Sequence, residues 1–80
     1  MILKILGNEV AIDSYDVIAN NNLVRVINTG ASASLYIGDS ANNLVGKLTV
    51  SNTETVIIEK DNTQKLRGAN MKAVAVAYKA

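Results

Sequence analysis

The sequence contains no histidine, cysteine, proline, tryptophan or phenylalanine. Each absence excludes something. Without cysteine there is no disulfide, and redox usage names no compartment. Without Cys or His the common structural zinc sites are ruled out, and so are Ser-His-Asp and Cys-His catalytic arrangements. The five glycines stand alone at turn signals, so there is neither a Walker loop nor a G-x-G-x-x-G fingerprint. An enzyme would have to run a carboxylate or lysine mechanism in a pocket that a domain of 80 residues scarcely encloses. No catalytic residue, cofactor or metal ligand is therefore assigned.

The remaining scarcities concern partners. The aromatics are three tyrosines, and the net charge is +1 with no basic run. A nucleic-acid binder ordinarily shows a basic patch interleaved with aromatic platforms, so nucleic acid is not an expected partner. The apolar start, Met1–Leu6, is short and broken by Lys4. It is not a secretory signal, and no apolar run approaches the roughly 20 residues needed to span a bilayer. The expectation is a chain made in the cytoplasm that stays soluble or joins an assembly there, away from membranes. With proline missing, Asn, Gly and Ser must do all the turning. Long strands then lack one common guard against edge pairing.

What is present is a period of two. Val24 and Val26 fall on one face of a strand, and Leu23, Arg25 and Ile27 on the other. Asn28-Thr29-Gly30 interrupts the run with turn residues, and Leu35 and Ile37 resume on a single face. The stretch Asn22–Gly38 thus reads as a central β-hairpin. Around it, Ile2–Leu6 reads as an edge strand and Glu9–Ile12 as a second strand with Val10 and Ile12 inward. Leu44–Val50 and Thr55–Lys60 follow. Asp61-Asn62-Thr63 can cap a single helical turn that Gly68 closes. Ala73–Tyr78 is the last strand. Turn signals recur about every ten residues, the spacing of a sandwich or small barrel. The prediction is one all-β domain over residues 1–80, an antiparallel sandwich or barrel-like fold of six to eight short strands. So small a domain has a marginal core, and association with other subunits is the expected remedy.

Several residues compete for a role. Asp13 and Asp16, with Asp39, offer carboxylates for acid–base work or a hard cation; solvated loop aspartates are the simpler reading. Arg25, mid-strand between apolar neighbours, either pairs with Glu59 or Asp61 or reaches a partner. Tyr15, Tyr36 and Tyr78 suit either a contact patch or half-buried positions with wet hydroxyls. Glu59-Lys60-Asp61 and Lys65-Leu66-Arg67 read as solvated ends. In the last strand Val74, Val76 and Tyr78 share one face and Ala73, Ala75 and Ala77 the other. An alanine face suits packing inside the sandwich or a close subunit contact. The expected partner contacts are Ile2, Leu3, Ile5, Arg25, Tyr36, Ala73, Ala75 and Ala77.

Three segments together carry a resemblance: Leu23-Val24-Arg25-Val26-Ile27-Asn28-Thr29-Gly30, then Val56-Ile57-Ile58-Glu59-Lys60-Asp61, then Ala73-Val74-Ala75-Val76-Ala77-Tyr78-Lys79-Ala80. In this order they resemble small virion structural proteins of tailed phages, particularly those of marine cyanobacteria. The resemblance covers residues 22–80, and none of the segments is a catalytic or ligand motif. It implies a β-sandwich-like, multi-copy protein on the particle, with the major capsid protein or other virion proteins as partners. A capsid decoration (cement) protein is the leading expectation. A neck or tail component, or a free binding module such as an inhibitor of a host enzyme, are the alternatives.

Overall fold

The computed structural model describes residues 2–79, with side chains from 3 to 77. Among these there is no helix. Eight strands form two antiparallel sheets: β1 Ile2–Ile5, β2 Val10–Ala11, β3 Leu23–Asn28, β4 Ala33–Gly38, β5 Leu44–Val50, β6 Thr55–Glu59, β7 Lys65–Gly68 and β8 Met71–Lys79. The first sheet runs β1-β8-β3-β6, with β2 also on β8; the second runs β5-β4-β7.

The period of two sets the faces. Val24 lies opposite Ala75 and Ile58, and Val26 opposite Ala73 and Val56. Directly opposed residues share a face, so these six line the inside of the first sheet. Leu35, Val50 and Leu66 answer them from the second sheet, and Ile12, Ile18 and Met71 fill in around them. The alanine side of β8 is therefore core. Ala73 and Ala75 are 0% and 2% exposed, leaving no surface for the subunit contact expected of them. Ala77 is half-buried.

Three expectations need correction. The first is the central hairpin: β3 and β4 do not pair, and the chain crosses from one sheet to the other between them. Asn28 explains this. It follows Val24 and Val26 on the inward face and is fully buried, so its amide must find partners. Its Nδ2 donates to the carbonyls of Val50 and Ala31, and its Oδ1 accepts from the Gly30 amide. That pins the end of β3 to the end of β5 and shapes the crossover. No glycine takes a positive φ. Gly30 is needed for room instead, since a Cβ there would meet the Asn70 side chain at 2.7–2.9 Å.

The second correction is at 61–68, which holds β7 and no helical turn. Gln64 Oε1 does accept from the Asp61 amide, one half of a capping box, but the Gln64 amide donates to the Asp61 backbone carbonyl, the bond of a β-turn. Ser51 and Glu54 repeat them between β5 and β6. In both places the motif closes a turn between strands of different sheets. After it, Leu66 and Gly68 face inward while Arg67 faces out, and alternation wins over capping. The third correction is Val10, expected inward, which is 38% exposed.

The N-terminal segment is one edge strand broken in two. Between the Ile5–Val76 and Val10–Ala73 pairs it advances five residues while β8 advances three. Two extra residues thus bulge out around Gly7-Asn8-Glu9. Beyond β2 the chain crosses to the second sheet and pairs with β7 there. The Asp16 and Leu66 amides each donate to the other's carbonyl, and the Gly68 amide donates to Ile12. It returns through Ile18, Ala19 and Asn20, all left-handed with φ of 53°, 59° and 53°. Such φ values cost L-residues roughly 1–2 kcal/mol each.

Candidate interaction surface

A sheet edge exposes unpaired N–H and C=O groups, and a protein covers it, guards it or uses it. The second sheet does two different things with its edges. β7 is covered by Ile12–Asp16 through the bonds above. β5 has β4 on one side and, among the described residues, no backbone partner on the other. Which groups it offers follows from the ladder. Leu66 bonds outward to Asp16, so its pairing with Ile37 is the non-hydrogen-bonded kind, and Ile37 turns its own amide and carbonyl to Gly46. Lys47 and Thr49 then point their backbone groups away from the sheet, while Val45 is the extra residue of a bulge opposite Ile37 and Gly38.

The exposed large apolar side chains follow the same division. Among the described residues they are Leu3, Ile5, Leu6 and Val10 along the N-terminal strand, Leu44, Val45 and Leu48 on β5, and Ile57 on β6. Every one lies on, or directly after, an uncovered edge strand; none lies on β7. Scattered single hydrophobes need no explanation, but contiguous strips do. Leu44 and Val45 are 58% and 57% exposed.

Two grooves accompany these strips. Where β5 and β6 diverge, Leu35, Ile37, Gly46, Leu48, Ile58 and Leu66 line an open apolar cleft of about 210 Å³. On the outside of the first sheet, Leu3, Ile5, Val74 and Val76 floor a groove of about 480 Å³, walled by Glu9 and Arg25. Of the expected contacts, Leu3 and Ile5 stand in this groove. Arg25 stands there too, but its partner is Glu9, at 3.6 Å. Glu59 lies opposite Leu23 instead, so the proposed pairings of Arg25 with Glu59 or Asp61 are not made. The side chains of Ile2 and Tyr78 lie outside the described residues.

Tyr36 sits elsewhere, on the outer face of the second sheet. The register places Lys47, Tyr36 and Arg67 in one row across β5, β4 and β7. The Arg67 guanidinium carbon lies 4.6 Å from the Tyr36 ring centre and 5.3 Å from that of Tyr15. Gly38 makes the second contact possible, because a Cβ there would come within 2.9 Å of the Tyr15 ring.

The three aspartates do not gather. Asp16 Oδ1 accepts from the Ile18 amide. Asp39 Oδ1 accepts from Ala41 and Asn43 in the β4–β5 turn, and the Asn43 amide above all holds its carboxyl below the ordinary carboxylate value. Asp13 borders Arg67 and Tyr36 in a separate hollow. Among the described residues no group of three acids suited to a metal forms. One titratable group escaped the sequence altogether. Lys60, read as a solvated strand end, is 4% exposed. Its Nζ donates to the Asp61 carbonyl at 3.3 Å. Burial pushes its pKa down, against the attraction of Asp16 and Asp61.

Compared with protein-family models, with curated proteins and with solved structures, the chain matches none of them.

Proposed function

We propose that this chain is a non-enzymatic structural protein that works by docking its uncovered sheet edges onto neighbouring subunits. One observation carries the reading: among the described residues the exposed large hydrophobes all lie on or directly after edge strands that the fold leaves open, and none on the edge it covers. Strand addition at β5 would supply main-chain hydrogen bonds through Lys47 and Thr49, with the β5–β6 cleft receiving a partner side chain. The groove at Leu3 and Ile5 is a second contact. Taken with the resemblance of residues 22–80 to phage virion proteins, the specific proposal is a capsid decoration protein that clamps neighbouring major capsid subunits.

Mass spectrometry of purified particles tests this. The chain should be present in hundreds of copies, whereas about six or twelve would move it to the neck or tail. Its absence from particles would end the proposal. A free inhibitor of a host protein predicts that last outcome, together with a discrete soluble complex.

A further inference from the structure

The outer face of the second sheet carries a cation held in an unusual way. Arg67 is exposed, and two tyrosine rings lie near its guanidinium. A guanidinium against aromatic faces keeps its N–H groups in its own plane, free to donate sideways. Here they have no taker: among the described residues Arg67 makes no hydrogen bond and no ion pair, the sole ion pair being Arg25–Glu9. Lys47, one strand over in the same row, is likewise without an acidic partner among the described residues, and the Tyr36 hydroxyl between them makes no hydrogen bond to any of them. The hollow beside Arg67 measures about 400 Å³ and is bordered by Ser34, Tyr36, Ala69 and Asp13.

We propose that this row is a carboxylate receptor, in which an aspartate or glutamate side chain of a partner protein takes the in-plane N–H edge of Arg67 while Lys47 and the Tyr36 hydroxyl lie alongside. Two features select a carboxylate. The tyrosine faces nearest Arg67 are occupied by its guanidinium, so they are poor platforms for nucleic-acid bases, which need open rings to stack on. Asp13 borders the hollow beyond ion-pair distance of Arg67, and its charge disfavours a doubly charged phosphate more than a singly charged carboxylate. The planar fork of arginine matches a carboxylate in a way lysine does not. The inference rests on the docking proposal only in drawing the carboxylate from a neighbouring protein.

The test uses the isolated full chain, isotope-labelled and titrated with a tetraglutamate peptide at constant ionic strength, read by NMR. The chain has two arginines, and Arg25, already paired with Glu9, is the internal control. The expected result is a saturable shift of the Arg67 Nε–Hε signal and the Tyr36 ring signals, with Arg25 unmoved. Arg67→Lys should weaken binding at least about fivefold, and Asp13→Asn should strengthen it. Equal shifts at both arginines, no shift at Arg67, undiminished binding by Arg67→Lys, or tighter binding of inorganic phosphate or an oligothymidylate than of the peptide would each overturn the proposal. Such a failure leaves the docking of the β5 edge intact. Absence of the chain from particles removes the virion proposal without touching the titration.

Discussion

β5 and β7 flank the same central strand, yet they are finished in opposite ways. β7 is four residues long, keeps Leu66 inside and has its far side bonded to Ile12 and Asp16. β5 is seven residues long, shows Leu44, Val45 and Leu48 to solvent, and has no neighbour beyond it among the described residues. The chain spends a whole segment and a left-handed turn on covering the shorter edge. Incomplete folding is therefore a poor explanation for the longer one, since the protein covers an edge where it has the means. On the docking proposal the difference makes β5 a place kept for another chain, and Lys47, midway along it, is the sort of charge that slows indiscriminate pairing.

The most damaging way to break the contrast is to remove the cover from β7. Ile12→Ala empties a fully buried position and should cost about 2–4 kcal/mol in denaturant unfolding, with faster amide exchange at Leu66 and Gly68. A loss under about 1 kcal/mol would mean that the segment adds little.

Lys60 sharpens the contrast from the other side of the covering loop. Burial favours its neutral form, so the folded chain releases the Lys60 proton at a lower pH than the unfolded chain does. Between that lowered pKa and the ordinary 10.5, unfolding takes up a proton and stability rises with pH. Lys60→Met should flatten that alkaline rise in thermal melts, and an unchanged rise would show that the amine is solvated. Relieving the turn comes next. Ala19→Gly at φ 59° should stabilise by about 0.5–1 kcal/mol, left-handed strain outweighing glycine's entropy. Destabilisation would mean that the turn is not left-handed. Val45→Lys on the open edge should have the smallest effect on stability, within about 0.5 kcal/mol, and yet abolish incorporation into particles. Normal incorporation of this variant would remove β5 from the interface.

Much of this was legible in the sequence, and the failures have a common cause. Alternation placed β3, β4, β5, β6 and β8 within a residue or two, because it reports which side of a strand is dry. It cannot report which strand lies alongside. Asn28-Thr29-Gly30 looks like a hairpin turn and serves as a crossover, because the buried amide of Asn28 bonds across to Val50. Asp61 and Gln64 make one bond of a helix start and one of a β-turn, and the chain continues as a strand. The alanines of β8 face the other sheet rather than a partner because β8 lies between β1 and β3, where small side chains let the layers close. The edge position of Leu3 and Ile5 was legible; the exposure of Leu44, Val45 and Ile57 was not, since exposure at an edge depends on the strand order. The row of Lys47, Tyr36 and Arg67 exists only in the register, and no local pattern announces it.

Amide hydrogen exchange tests the central claim most directly, because it compares the two edges in one experiment. In the isolated chain the outward amides of Lys47 and Thr49 should exchange quickly, and those of Leu66 and Gly68 slowly. In the assembled particle the two β5 amides should slow by at least about tenfold, consistent with new strand pairing. Rapid exchange at β5 persisting in the particle, with protection arising elsewhere on the surface, would contradict the account.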